Sequence, residues 1–279
     1  MAAGTLYVVA TPIGNLGDIT VRAIETLRSV DRVIAEDTRR TRGLLSHFGI
    51  SGKYVDRLDA NAEAHDIARA VSQLSAGESL ALCTDAGTPI VSDPGTALVR
   101  AAIAAGATVV PIPGASAVLA AIALSGLVTG GFRFLGFLAR SGPERREEIN
   151  RIVETPESVV IFESPQRTAD TLVELAQAMP DRDAVVAREL TKLHEEAVRG
   201  TLAELAAAAP HREWLGEVTI VLGPARARVG PGMSDEGIDA RIDEELALGR
   251  RAKDVSEAIA IESGRPKREI YARIVAKRG

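Results

Sequence analysis

Residues 82–95 read Leu-Cys-Thr-Asp-Ala-Gly-Thr-Pro-Ile-Val-Ser-Asp-Pro-Gly, and this stretch decides the fold. An apolar run of strand type, residues 79–83, leads into a segment rich in glycine, proline, aspartate and threonine. Asp93 is suited to cap a following helix, and Pro94 to occupy its first turn. Loops at the carboxyl ends of strands are where small ligands bind in open α/β sheets. The stretch therefore predicts a strand–loop–helix unit, whose loop either binds a ligand or only connects the two elements.

The same alternation of strands and helices extends over the first 113 residues. Strands are predicted at residues 6–10, 32–35, 53–58, 79–83 and 108–112, and helices at residues 21–29, 38–48, 61–76 and 94–105. Glycine follows three of these helical runs, at positions 49, 77 and 106, which is typical of a helix C-terminus. We expect a doubly wound α/β domain over residues 1–114, with a largely parallel sheet.

A second α/β unit is predicted over residues 115–224. Its strands are expected near residues 132–137, 158–162, 184–188 and 217–222, and their wider spacing suggests a mixed sheet. Ser141, Ser164 and Thr201 are suited to begin helices, and Thr201 with Glu204 forms the pattern of a capping box.

The last part of the chain, residues 231–279, is predicted to be a small basic helical domain. It follows a linker with Gly223-Pro224 and Gly230-Pro231-Gly232, and its helices are expected at residues 235–248, 252–261 and 266–277. The last two helices match a helix-turn-helix outline. Residues 249–279 hold nine basic and four acidic residues, a net charge of +5 in a chain of net charge −5. This asymmetry suggests a polyanionic partner, although a basic run can also be only a solvated face.

Several classes of protein are disfavoured by what the sequence lacks. The one cysteine, Cys83, lies in an apolar run, and the four histidines are scattered without a metal-binding spacing, so we expect no disulfide framework and no metal site. The dinucleotide motif G-x-G-x-x-G, the phosphate-binding P-loop and the hydrolase motif G-x-S-x-G are all missing. We expect no signal peptide, and no apolar run in the sequence reaches the length of a membrane span. A cytoplasmic protein without a membrane anchor is predicted.

Five loops carry residues that are able to take part in binding or catalysis. Three of them, residues 11–18, 35–39 and 111–117, follow predicted strands of the first unit, and two, residues 162–167 and 187–196, follow strands of the second. Because the carboxyl ends of parallel strands meet at one edge of a sheet, we expect these loops to face one interdomain cleft. For Asp37 and Thr38, capping of the next helix is an equally simple role.

Six strings in register carry a resemblance to one family. They are Thr-Pro-Ile-Gly-Asn-Leu at 11–16, Glu-Asp-Thr-Arg at 36–39, Asp-Ala-Gly-Thr-Pro at 85–89 with Asp-Pro-Gly at 93–95, Pro-Gly-Ala-Ser-Ala at 113–117, Glu-Ser-Pro-x-Arg at 163–167, and Ala-Arg-Glu-Leu-Thr-Lys-x-His-Glu at 187–195. Over residues 4–223 the chain resembles the small-subunit ribosomal RNA cytidine 2′-O-methyltransferase branch of the tetrapyrrole methylase-like superfamily.

The resemblance implies a two-domain α/β protein of the class III methyltransferase fold, with a small C-terminal helical domain. It also implies a homodimer, S-adenosylmethionine bound between the two α/β domains, and a target cytidine in the decoding region of 16S ribosomal RNA, within the 30S subunit or an assembly intermediate. Transferred by position, the cofactor contacts would be Thr11, Pro12, Gly14, Asn15, Asp85, Ala86, Gly87, Thr88, Pro89, Asp93, Ala115, Ser116, Ala117, Phe162, Glu163, Gly216, Glu217 and Val218.

For the reaction implied by this resemblance, a base must accept the proton of the ribose 2′-hydroxyl. Our hypotheses are Glu189 or Asp37, with Lys192 as an alternative if neighbouring cations lower its pKa. RNA phosphates would be held by Arg39, Arg167 and Lys192 near the cleft, and by Arg265, Lys267 and Arg268 in the tail. Two rival functions remain open: methylation of a tetrapyrrole or other small molecule, and nucleic-acid binding by a non-enzymatic sensor of the cofactor.

Overall fold

A computed structural model describes residues 3–58, 64–225 and 233–278. The first sheet contains five parallel strands in the order β3-β2-β4-β1-β5, namely β1 (Thr5–Val9), β2 (Arg32–Ala35), β3 (Tyr54–Arg57), β4 (Leu80–Cys83) and β5 (Thr108–Ile112). The chain leaves β1 toward one edge of the sheet and leaves β4 toward the other. The loops after these two adjacent strands therefore meet at the topological switch point, where open α/β sheets bind ligands.

The second sheet is mixed, as expected. Its order is β6-β7-β10-β8-β9, with β6 (Phe132–Phe137), β7 (Ser158–Glu163), β8 (Asp183–Arg188), β9 (Glu196–Thr201) and β10 (Val218–Leu222). β6 and β7 are parallel, and the remaining pairs are antiparallel. The edge strand β9 was not predicted, because its residues are mostly polar or small and only half-buried, so it lacks the apolar alternation that indicates a strand.

Eleven α-helices are described. They are α1 (Val21–Ser29), α2 (Thr38–His47), α3 (Ala64–Ser75), α4 (Thr96–Ala104), α5 (Ala117–Ser125), α6 (Gly142–Glu154), α7 (Pro165–Ala178), α8 (Leu202–Ala208), α9 (Asp235–Ala247), α10 (Ala252–Ser263) and α11 (Lys267–Arg278). The start expected for the third helix, residue 61, and the second part of the predicted linker lie outside the described residues. The capping box of Thr201 and Glu204 is present at the start of α8.

The predicted start of α4 is wrong. Its N-cap is Gly95, which has φ +131° and no side-chain capping bond, so Asp93 and Pro94 remain in the loop. The reason lies in the preceding backbone, where Ile90 and Ser92 both have positive φ, at 78° and 65°. These left-handed turns keep the Asp93 carboxyl beside Thr84 rather than at the helix end.

The packing places one apolar cluster between the two sheets. Ile13, from the loop after β1, packs with Val118 and Ala121 of α5 and with Val160, Ala187, Leu190 and Val221 of the second sheet. This cluster fixes the loop after β1 against the second sheet, and burial of such side chains contributes on the order of 1.5–3 kcal/mol each. The relative position of the two sheets is therefore set at the point where the predicted cleft lies.

The C-terminal helices α9, α10 and α11 pack around their own core of Ile238, Ile242, Val255, Ile259, Ile270 and Ile274. Gly264, with φ +70°, turns the chain between α10 and α11 and agrees with the expected helix-turn-helix outline. The division of the chain at residues 114, 224 and 231 stays a prediction. Among the described helices, none is long and apolar enough to cross a membrane.

Candidate active site

A cavity of about 350 Å³ lies between the two sheets, at the carboxyl ends of β1, β4 and β7. Eleven of the eighteen residues expected to contact a cofactor line it: Ala86, Gly87, Thr88, Asp93, Ser116, Ala117, Phe162, Glu163, Gly216, Glu217 and Val218. Its wall is mainly apolar, with a few polar groups, which is the usual character of a small-molecule site.

The loops after β1 and β4 are joined directly under this cavity. Thr11 and Gly87 exchange two backbone hydrogen bonds, of 2.8 and 3.0 Å, and the Thr11 hydroxyl donates to the carbonyl oxygen of Thr84 at 3.1 Å. Gly87 has φ +83°, and a Cβ atom placed on it would lie 3.2 Å from Cγ2 of Ile13. The backbone conformation therefore favours glycine here, and a larger residue would make a tight contact with Ile13.

The remaining predicted contacts lie beside the cavity rather than on it. Thr11, Pro12 and Asp85 line a separate concavity of about 170 Å³, and the carbonyl oxygen of Ala115 accepts a hydrogen bond from Thr88 at 3.2 Å. Pro89 is buried within the loop.

Gly14 and Asn15 contact the second unit instead. The Asn15 amide donates to the hydroxyl of Thr191 at 3.1 Å, and a Cβ atom on Gly14 would lie 2.4 Å from Cγ of Lys192. These two residues therefore hold the loop after β1 against the loop after β8.

Strained backbone conformations occur on both sides of the cleft. The non-glycine residues with positive φ in the described chain are Ile90 and Ser92 in the loop after β4, and Glu189 and Thr191 in the loop after β8. Such conformations cost on the order of 1–3 kcal/mol each and persist where the surrounding structure imposes them, often at functional sites. Their confinement to these two loops supports the cleft as the functional region.

On the first-sheet side, an acidic group of the cavity has a perturbed pKa. Burial raises the pKa of Asp93 to about 6; the hydrogen bond with Thr84 partly opposes this rise, and the nearby charges of Glu36 and Asp85 reinforce it. Glu36 accepts hydrogen bonds from the Thr84 hydroxyl at 2.8 Å and from the Asp85 amide at 3.4 Å. Asp93 is thus a carboxyl group poised to titrate close to neutrality.

On the second-sheet side, the acidic group is fully paired. Glu163, 2% exposed, accepts hydrogen bonds from the Thr171 hydroxyl at 2.6 Å, from Nη2 of Arg167 at 3.2 Å and from the amide of Ser164 at 2.8 Å. The same Nη2 of Arg167 also donates to the carbonyl oxygen of Leu138 at 3.0 Å. Arg167, proposed from the sequence to hold phosphate, therefore has internal partners here.

The proposed catalytic residues Glu189 and Lys192 form an ion pair outside the cavity. Nζ of Lys192 lies 2.8 Å from Oε1 of Glu189 and 3.3 Å from Oε2 of Glu217. The hydrogen bond from Lys192 holds the pKa of Glu189 below its usual range, although burial opposes this effect.

The expectation of a lowered pKa for Lys192 is wrong. Burial alone would lower this pKa, but the hydrogen bond to Glu189 and the charge of Glu217 more than offset it, so the pKa is raised. Its neighbours are carboxylates rather than the cations that the hypothesis required.

Asp37 takes the alternative role considered from the sequence, because it caps α2. Its carboxylate accepts from the amide of Arg39 at 2.8 Å, and this bond lowers its pKa. With Arg39 and Arg57 it lines a different concavity of about 240 Å³. Its pairing with the side chain of Arg39 is exposed and adds little.

The basic residues predicted to bind RNA in the tail are mostly neutralised by acidic neighbours. Arg265 pairs with Asp235 at 3.0 Å and with Glu269 at 2.8 Å, and Lys267 pairs with Glu257. Arg268 is exposed and, within the described residues, has no ion-pair partner. The surface charge of the tail is therefore smaller than its composition suggests.

Comparison with known proteins identifies the family. The sequence model of the tetrapyrrole (corrin/porphyrin) methylase family matches residues 5–206 of this chain. The chain belongs to this family. It is 41% identical over 271 residues to a ribosomal RNA small subunit methyltransferase I of Halalkalibacterium halodurans, covering 96% of this chain and 93% of the relative. It is 43% identical over 272 residues to the protein of the same name from Xylella fastidiosa, covering 96% of this chain and 98% of the relative.

Solved structures of other methyltransferases and of a diphthine synthase share the fold. A diphthine synthase matches with a TM-score of 0.62 at 20% identity, covering 79% of this chain and 90% of that chain. A uroporphyrin-III C-methyl transferase from Thermus thermophilus, complexed with S-adenyl homocysteine, matches with a TM-score of 0.57 at 19% identity, covering 79% and 97%. The tetrapyrrole methylase-like fold expected from the sequence is confirmed.

Ile13, which lies within the predicted lining segment 11–15, does line the cavity. Sequence reasoning missed several other lining residues: Val91, Ser92, Val118, Phe137, Ser164, Pro165 and Thr219. Phe137 ends β6, and its ring centroid lies 5.6 Å from that of Phe162. Because Phe137, like Phe162, lies at the end of a predicted strand, its position in the sequence could have indicated that it lines the cavity. Val91 and Ser92 carried no such signal, because their position depends on the left-handed turns of the loop.

Proposed function

We propose that this protein is a methyltransferase that transfers a methyl group from S-adenosylmethionine to the ribose 2′-oxygen of a cytidine in the decoding region of 16S ribosomal RNA. The observation that carries the proposal is the identity of about 40% to proteins named ribosomal RNA small subunit methyltransferase I, over 96% of this chain. The cleft supports it, because strings shared with that family surround one cavity of suitable size.

The residues around the cavity fit S-adenosylmethionine. A volume of about 350 Å³ is within the range of small-molecule sites. Ile13, Val118 and Phe162 provide apolar surface, while Glu217 provides negative charge for a ligand that carries a sulfonium and an ammonium group. When bound, this cofactor supplies an electrophilic methyl group, and the protein supplies alignment, which can lower the barrier by several kcal/mol.

Asp93 is the proton acceptor that the structure favours. A positioned base accelerates such a step about 10²–10⁴-fold when its pKa lies near the working pH. Asp93 lines the cavity and has a pKa of about 6, whereas Glu189 and Asp37 have lowered pKa values and lie outside the cavity lining. Lys192, with its raised pKa, is protonated near neutrality and is therefore not suited to accept the proton.

The protein acts as a homodimer in the cytoplasm, on the 30S subunit or an assembly intermediate. Exposed large apolar side chains support self-association: Leu135 of the edge strand β6, and Leu119, Leu193 and Leu215 elsewhere on the surface. Light scattering on the purified protein would test the dimer.

The test of the activity is methyl transfer from labelled S-adenosylmethionine to 30S particles from cells that lack this gene. We expect label on the ribose of one cytidine in the decoding region, located by nuclease mapping. Particles from cells with the gene provide the control and should accept little label, because the site is already methylated.

Two other outcomes would contradict the proposal. Label on a tetrapyrrole but not on the particle would indicate a small-molecule methyltransferase, in line with the name of the family model. Binding of the cofactor and RNA without any transfer would indicate a sensor.

A further inference from the structure

A second concavity, of about 550 Å³, lies between α6 and α7 on the face of the second unit. It is lined by Arg140, Arg145, Arg146, Asn150, Glu174 and Gln177, among others. Three arginines against one glutamate give this lining an excess of positive charge in a chain whose net charge is −5. Neither the sequence motifs nor the proposed cofactor site accounts for it.

Two of these arginines are available to a ligand. Arg140 and Arg146 are exposed and, within the described residues, have no hydrogen-bond or ion-pair partner. The acidic residues of α6 do not compete for them at this surface. Glu144 and Glu147 are absent from the lining, and Glu148 accepts a hydrogen bond from the amide of Ala139 at 2.8 Å.

The third arginine, Arg145, is part of the scaffold. It is 5% exposed, and its nitrogens donate to Glu174 at 2.6 Å, to the carbonyl oxygen of Ala139 at 2.9 Å and to the hydroxyl of Thr171 at 2.8 Å. These bonds fix α6 on α7 and neutralise Glu174. Arg140 and Arg146 are therefore presented from a rigid support.

This scaffold connects the concavity with the cavity between the sheets. The Thr171 hydroxyl, which accepts from Arg145, donates to Glu163, and Glu163 lines that cavity. A phosphate bound at Arg140 and Arg146 would therefore be placed in a fixed relation to the reacting ribose. Remote contacts of this kind align a substrate.

We propose that Arg140 and Arg146 bind the sugar-phosphate backbone of the substrate RNA, away from the methylated nucleotide. The guanidinium group matches phosphate oxygens in a bidentate geometry, and its charge replaces counterions along the strand. The concave shape and the excess of positive charge favour a phosphate backbone over an apolar partner. This inference rests on the proposed function, because it takes ribosomal RNA as the substrate.

The test compares two double variants of equal charge. Arg140→Gln/Arg146→Gln removes the proposed contacts, and Arg100→Gln/Arg151→Gln removes two exposed arginines of α4 and α6 that do not line the concavity. Methyl transfer to unmethylated 30S particles is measured as KM and kcat at several salt concentrations, together with the Kd of S-adenosylmethionine.

We expect the KM for particles to rise about tenfold in Arg140→Gln/Arg146→Gln, with a shallower dependence on salt, since each lost phosphate contact reduces the slope by about one. The kcat and the cofactor Kd should stay within twofold of wild type, and the control variant should match wild type throughout. Arg140→Lys/Arg146→Lys should restore part of the affinity, because charge remains without the bidentate geometry.

Equal KM values for the two Gln variants would overturn the inference and leave the proposed function intact. If the Kd of S-adenosylmethionine in Arg140→Gln/Arg146→Gln rose as much as the KM for particles, that would also overturn the inference, because it would show a structural role for these arginines. Absence of methyl transfer by the wild-type protein would instead refute the proposed function, and this inference with it.

Discussion

The two walls of the central cavity are built in different ways. The first-sheet wall includes Gly87 and Ser92, which both have positive φ, and its carboxyl group, Asp93, has a raised pKa. The second-sheet side carries paired carboxylates: Glu163, in the cavity wall, is bound by Arg167, and Glu189, outside the lining, is bound by Lys192. This contrast separates two tasks. The paired side chains of the second-sheet side (the paired wall) fix the geometry of the site, whereas the first-sheet wall leaves one carboxyl group, Asp93, to exchange a proton.

The largest effect should come from breaking the paired wall. Glu163→Ala removes a buried acceptor of three hydrogen bonds and leaves Arg167, with only 25% of its side chain exposed, without its carboxylate. Loss of one partner of a buried pair costs about 3 kcal/mol or more of the free energy of unfolding. Urea denaturation would measure it.

Glu217→Ala is the matched control for that change. Glu217 also lines the cavity and pairs with Lys192, but its side chain is 65% exposed. Its loss should cost less than about 1 kcal/mol. Equal destabilisation by the two substitutions would show that the second wall is not held by buried pairing.

The next effect concerns the proton acceptor. Asp93→Asn should lower kcat about 100-fold, equivalent to about 2.7 kcal/mol, with the cofactor Kd nearly unchanged. In the wild-type protein, kcat/KM should fall as the pH drops below about 6, because the Asp93 carboxylate becomes protonated. A wild-type rate independent of pH between 5 and 7 would argue against this role.

Stability gives an independent readout of the same group. The folded pKa of Asp93, about 6, exceeds its unfolded value of about 3.9, so the folded state binds more protons between these values. The contribution of Asp93 to stability therefore decreases as the pH rises from about 4 to about 6 and is constant above. The Asn variant should become more stable relative to wild type over this window.

A smaller effect is expected from the backbone of the first wall. Gly87→Ala forces an alanine into φ +83° and places its Cβ atom 3.2 Å from Ile13 at the cavity. We expect about a tenfold weaker affinity for S-adenosylmethionine, or about 1.4 kcal/mol.

Gly106→Ala supplies the control for Gly87→Ala. Gly106 has a similar φ of +78° but open space around its position. It should lose comparable stability, about 1–2 kcal/mol from the left-handed backbone, without loss of cofactor affinity. Calorimetric titration would distinguish the two variants, and a loss of affinity in both would mean that strain, rather than the cavity wall, is responsible.

The fold could be predicted from the sequence where its signals are local. Strands and helices followed from apolar runs and glycine stops, since these signals are local, and only the polar edge strand β9 escaped. The start of α4 failed because no local rule predicts φ +78° for Ile90, a β-branched residue.

The site was less predictable than the fold, since its chemistry depends on contacts between distant segments. Arg145 of α6 donates to the hydroxyl of Thr171 in α7, which in turn donates to Glu163. Only this packing of the two helices shows which arginines are held by internal hydrogen bonds and which are exposed to a ligand. The pKa of Lys192 likewise depends on Glu217, 25 residues away. Sequence strings placed these residues near the cleft but could not assign their partners.

The smallest effect should come from Glu189, and it tests most directly which side of the cavity supplies the proton acceptor. Glu189→Gln keeps the size of the side chain and an oxygen to accept from Lys192 and from the Glu217 amide. Because this residue is paired with Lys192 and lies outside the cavity lining, we expect kcat to stay within about threefold of wild type, a change of less than about 0.7 kcal/mol. A 100-fold loss with intact cofactor binding would instead make Glu189 the base. The proton-transfer role would then belong to the second wall, and the raised pKa of Asp93 would reflect burial alone.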